Sequence, residues 1–214
     1  MTQRKPKSAD RREYQIGIQL VPAPLWGKNM RALLTQSQWR SFRNEILKRQ
    51  GMFCATCGKT AEKSSQLNAH EEWRYDETVL PATATITNVS LLCWHCHHIE
   101  HFGLVRSLVN SGQLTIQAID DTISHFCRLN GATKKDFSVH EIEANEVWVR
   151  RNGLEWRIEY GPFLDWVVAA YAHDPLNGTN WPTDLQAKSG RKNPPDIEWT
   201  VHKLDIAKRP RLAA

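Results

Sequence analysis

Four of the five cysteines fall in two pairs, Cys54-Ala-Thr-Cys57 and Cys93-Trp-His-Cys96. Each Cys-x-x-Cys pair offers two thiolates from one tight turn, which suits two corners of a tetrahedron. The two pairs together read as one structural Zn²⁺ site. In a chain that opens without a secretory signal, paired cysteines point to metal rather than disulfides, because intracellular thiols stay reduced. A short two-strand unit buries too little to hold itself, and structural zinc supplies on the order of 10 kcal/mol of folding energy. The fifth cysteine, Cys127, sits in an apolar helical pattern and reads as a small buried hydrophobe.

Histidines lie between and after these pairs. His97 and His101 are four residues apart just beyond the second pair. On a helix they stack on one face, as two ligands for one ion require. His98 faces elsewhere and His95 lies inside the knuckle, so neither is counted. His70 stands in Asn68-Ala-His-Glu-Glu-Trp73, and Asn88 precedes Cys93 by five residues.

The elements that must position these groups follow from local pattern. A helix is expected over 37–50, with Thr35 or Ser37 as N-cap and Gly51 as its stop. Its Arg40, Arg43, Lys48 and Arg49 make it a basic helix leading into the first knuckle. A short strand is expected over 66–70, a loop through 73–76, and a second strand over 85–92. A helix then starts at the second knuckle and runs to about Val109. Further helices are expected over 116–129, 135–151 and 161–171, with a strand over 154–160. Upstream, residues 16–21 read as a short strand. Residues 22–27 read as a proline loop pinned to the core by Trp26. Trp73 and Tyr75 read as core packing, and Glu72 as part of a solvated turn.

The resulting fold class is α+β, with a small zinc-stabilised core, an N-terminal basic helix and a helical C-terminal extension. The organisation expected is a disordered basic arm (1–13), a zinc domain (14–105), a helical extension packed on it (106–171) and a loosely ordered tail (172–214). No apolar run approaches the ~20 residues that span a bilayer, and the basic, polar N-terminus is not a secretory signal. The chain therefore reads as cytoplasmic. Net charge is +5, yet residues 1–60 alone carry twelve Lys/Arg against Asp10, Glu13 and Glu45. A basic end of that density suits a polyanion such as nucleic acid.

The pattern Asn88-x4-Cys93-x2-Cys96-His97-x3-His101, preceded by His70 at a strand end, resembles the HNH endonuclease family. The resemblance covers about residues 50–105. It implies a ββα-metal core: a strand ending in His, a second strand entered through Asn, and a helix carrying His. It further implies that His70 is the general base toward water, a role that a neutral imidazole suits. Asn88 would fix the orientation of His70. His97 and His101 would hold one catalytic divalent ion, Mg²⁺ or another, against the scissile phosphate. Duplex DNA would be the partner, gripped by the arm and by Arg40, Arg43, Lys48 and Arg49.

One position departs from the family. Its members usually carry an acidic residue or a second His just before the base, and here that residue is Ala69. Either the ion has two protein ligands, or His70 is itself a ligand and Glu71 takes the base or orienting role. The competing reading is a zinc-stabilised nucleic-acid- or protein-binding module without cleavage, and the helical extension offers a surface for a partner or a second copy. An RNA-directed activity ranks lower, since no base-stacking motif is present.

Overall fold

The computed structural model describes residues 13–172. The expectations for the basic arm and the C-terminal tail fall on residues 1–12 and 173–214, outside the described residues.

A long hairpin carries the candidate site. Strand β1 (Leu67–Asp76) pairs antiparallel with β2 (Ala82–Cys93). The β1 strand thus continues through the residues 73–76 expected as a loop. The β-branched run of β2 favours this extended pairing. His70 lies opposite Ser90, and Glu72 opposite Asn88. Between Glu72 and Trp73 the register shifts, so that Trp73 faces Ile86. The extra residue is Thr87, whose hydroxyl donates to the Glu72 carbonyl at 3.0 Å. A side-chain period of two would otherwise send Ala84 and Ile86 to one face and Val89 and Leu91 to the other. The bulge brings all four to the same buried face. A short third strand, β3 (Trp156–Glu159), runs parallel to the beginning of β2. The turn that follows β3 contains Gly161, at φ +51°, where a Cβ would overlap the carbonyl oxygen of Ile86.

After the short α1 (Met30–Leu33), helix α2 (Gln36–Gln50) starts at a Thr35–Gln38 capping box and ends at Gly51, whose φ is +88°. It buries Phe42 and Ile46. Its last residue holds the first knuckle against the hairpin. The Gln50 amide donates to the carbonyls of Phe53 and Leu91 and accepts from the Leu91 N–H.

The helix expected from the second knuckle to Val109 is two helices, α3 (Trp94–Glu100) and α4 (Phe102–Asn110), broken at His101 with φ −105° and ψ 45°. The His101 N–H still reaches the His97 carbonyl at 3.1 Å, so the turn joining the two histidines closes before the break. Helices α5 (Gln117–Asn130) and α6 (Lys134–Asn152) follow. They are separated by Gly131 in the left-handed region and the Thr133–Asp136 capping box. Helix α7 (Leu164–Ala172) closes the described chain.

Residues 16–21 do not form a strand. Side chains and a helix end take up their backbone groups instead. The Ile16 N–H donates to Asn130 Oδ1, the Ile18 N–H to His140 Nε2 at 2.8 Å, and the Gln19 N–H to the Glu100 carbonyl at 2.9 Å. Trp26 is not the loop's anchor. It is 64% exposed and donates to the carbonyl of Val21, just before the loop, while Leu25 is buried. One apolar cluster joins Ile16 and Ile18 to Phe42, Leu91, Ile99, Phe126, Phe137 and Val167. The extension beyond residue 105 therefore shares the core of the hairpin. No helix among the described residues is long and apolar enough to cross a membrane.

Candidate metal centres

The four cysteines come from two different local structures. Cys54 and Cys57 lie in a turn in which Gly58, at φ +72°, lets its N–H return to the Cys54 carbonyl at 3.0 Å. Cys93 ends β2 and caps α3, and Cys96 lies in the first turn of that helix, where helix-terminal N–H groups favour thiolate. The four sulfurs lie within 4.8 Å of one another. Cys57 Sγ and Cys93 Sγ are 3.7 Å apart. Zn–S bonds of ~2.3 Å in a tetrahedron put neighbouring sulfurs ~3.8 Å apart. All four are free thiols, so the group can hold a zinc ion. Their charges compete: hydrogen bonds from Cys54, Cys93 and Cys96 hold the Cys57 thiol far below the ordinary range, while neighbours Cys54 and Cys57 push Cys96 up.

The second cluster is His70, His97 and His101, whose candidate ligand nitrogens also lie within 4.8 Å of one another. His70 Nδ1 is 3.2 Å from His101 Nε2. Two nitrogens bonded to one tetrahedral ion at ~2.0–2.1 Å stand ~3.3 Å apart. The buried Nδ1 of His97 has no hydrogen-bond partner among the described residues, as suits a donor atom kept for an ion. Burial, then the neighbouring His101, lowers the His97 pKa to about 3. Burial, then His98, lowers His101 to about 4. Both imidazoles are therefore neutral near pH 7, the state that binds metal. His98 is turned away: its Nδ1 meets the Trp94 carbonyl at 2.7 Å and its ring stacks on Trp94.

Two carboxylates that the sequence reading passed over belong to this cluster. Glu100, only 3% exposed, brings Oε2 to 3.6 Å from His70 Nε2. At 3.6 Å this is an ion-pair approach and not a hydrogen bond, but a carboxylate beside the far nitrogen favours the proton there and leaves the other nitrogen for an ion. Its position just before His101 and three residues after His97 was the available signal. Glu72 does not sit in a solvated turn. It lies in β1 two residues beyond His70, hence on the same face, and its Oε1 accepts from Asn88 Nδ2 and Ser90 Oγ, each at 3.1 Å. Asn88, expected to steer His70, is bonded to Glu72. Strand alternation from His70 marks Glu72 without any structure.

Alternation also places Glu71 on the opposite face. Its Oε1 accepts from the Met30 N–H at 2.6 Å, and burial lifts its pKa to about 7. The sheet lies between it and the imidazoles. The four basic residues of α2 divide as well. Arg40 is exposed, and Lys48 is exposed but paired with Glu45 at 2.6 Å. Arg43 is turned inward: its Nη2 donates to the carbonyls of Ser64 and, at 2.8 Å, Leu67, fixing the approach to β1. Arg49 is half-buried, and its buried Nη1 has no hydrogen-bond partner among the described residues.

Comparison of the chain with protein-family models, with curated proteins and with solved structures gives no match.

Proposed function

We propose that the protein is a metal-dependent DNA endonuclease of the HNH kind, with its ion held by three imidazoles on a hairpin and the helix that follows it. The convergence of His70, His97 and His101 within 4.8 Å carries this reading. An all-imidazole donor set suits Zn²⁺, Ni²⁺ or a similar borderline ion better than Mg²⁺, which prefers carboxylates. An ion bound there would polarise a phosphodiester oxygen and acidify a water.

The chain's own residues divide the remaining work. The Glu100 carboxylate, 3.6 Å from His70 Nε2, favours a proton on that nitrogen, so that Nδ1 serves the shared ion; in this reading His70 is a ligand rather than the base. Glu72, gripped by Asn88 and Ser90, is the carboxylate on the same sheet face that can take a proton from an attacking water. Arg40 and the basic N-terminal segment supply phosphate contacts, with duplex DNA as the expected substrate.

Nicking of supercoiled plasmid with added Zn²⁺, Ni²⁺, Co²⁺, Mn²⁺ or Mg²⁺ tests the proposal. Cleavage supported by the borderline ions and lost in His97→Ala supports it. Absence of cleavage with every ion, in protein retaining its zinc, leaves the second reading, a binding module without cleavage. Ala69, which contributes no ligand beside His70, favours that alternative.

A further inference from the structure

We infer that His125 of α5 is an outer-sphere donor to the four-cysteine site, with its proton held on the productive nitrogen by Arg128. His125 is 7% exposed, and its Nε2 lies 3.2 Å from Cys96 Sγ. One turn further on, the Arg128 guanidinium meets His125 Nδ1. A guanidinium donates and never accepts, so Nδ1 must present its lone pair. The ring proton then sits on Nε2 and points at the sulfur. The row Arg128–His125–Cys96 is thus a directed N–H···S hydrogen bond with a positive charge behind it.

The sulfur it reaches has use for such a donor. Cys96 is fully buried, so no water can spread its charge, and four thiolates around one Zn²⁺ leave two negative charges in excess. A hydrogen bond to a charged acceptor is stronger than a neutral one, and outer-sphere partners of this type typically change metal affinity 10–100-fold. The donor comes from the helical extension, twenty-nine residues beyond the knuckle it serves. Docking of α5 and retention of zinc are therefore one event. This inference depends on zinc in the cysteine site and not on nuclease activity.

The test uses the full-length, zinc-loaded protein with His125→Phe, His125→Gln and Arg128→Met. Zinc transfer to a chromogenic chelator, alkylation of Cys96 by a maleimide and the sulfur-to-metal charge-transfer band of the Co²⁺-substituted protein are read together. His125→Phe should release zinc about 10–100-fold more readily, alkylate faster at Cys96 and shift the band to lower energy. His125→Gln, which keeps an N–H, should recover part of each. Arg128 is exposed, so Arg128→Met remains folded and should give intermediate values even where His125→Phe does not fold. Zinc release, alkylation and band position all unchanged in Arg128→Met would overturn the inference.

Discussion

His70 Nδ1 and His101 Nε2 stand 3.2 Å apart although the residues are thirty-one positions apart in the chain. One comes from the middle of a strand and the other from the break between two helices. Neither local structure needs the other, so their approach expresses the tertiary fold. Replacing His97 or His101 by Ala should remove the second bound ion while leaving the cysteine-bound zinc, and should lower plasmid cleavage at least ~100-fold if the ion supplies the electrostatic stabilisation proposed. Metal content by mass spectrometry alongside the nicking rate checks both parts.

Glu100 should matter through His70. Glu100→Gln keeps the shape but removes the negative charge beside Nε2 of the ring, and ion affinity at the imidazole site should fall by about 10–100-fold. Competition titration with a chelator of known affinity measures this. An affinity unchanged within twofold would remove Glu100 from the site.

Adjacent glutamates should behave oppositely. Glu72→Gln should depress cleavage by ~10²–10⁴-fold, the range of a lost general base, with ion content unchanged. Glu71→Gln should leave cleavage within a few-fold, because Glu71 accepts from Met30 on the other side of the sheet. Equal losses in the two variants would contradict the face assignment.

The basic helix offers a similar contrast. Arg40→Ala should weaken DNA binding and reduce the slope of log affinity against log salt by about one phosphate contact. Arg43→Ala should cost about 1–3 kcal/mol of stability, since two carbonyls lose a charged donor. Fluorescence anisotropy across a salt series and chemical denaturation read the two effects separately.

Acid should loosen the N-terminal segment. Burial lowers the His140 pKa below its ordinary value of 6.5, and its Nε2 must be unprotonated to accept from the Ile18 N–H. A group whose folded pKa is depressed contributes stability above its unfolded pKa and loses it as pH falls through the folded one. Melting temperature should therefore drop as pH falls below about 6.5, and His140→Gln should flatten that part of the profile.

Much of the framework was legible in the sequence because the relevant rules are local. Thr35, Gln38 and Gly51 bound α2 by capping chemistry alone, and the two Cys-x-x-Cys pairs declare a zinc-competent cluster by spacing. What stayed hidden needed partners distant in sequence. The segment at 16–21 has the composition of a strand, but its hydrogen bonds go to Asn130, His140 and Glu100 rather than to a neighbouring strand. Arg43 looks like any surface cation until the Ser64 and Leu67 carbonyls are placed beside it. The approach of His125 to Cys96 depends wholly on how α5 packs. Glu72 was hidden for a different reason: ending the strand at residue 70 and reading Glu72 as part of a solvated turn stopped the strand too early for alternation to be applied.

Gly161 sets a limit on variation far from either cluster. Because a side chain there would collide with the backbone of Ile86, every residue but glycine must push the end of β3 away from β2, the strand that also presents Asn88 and Ser90. Natural or laboratory drift at that position is thus closed off by shape alone. A screen for loss of activity should recover substitutions of Gly161 among its strongest hits, although no chemistry takes place there.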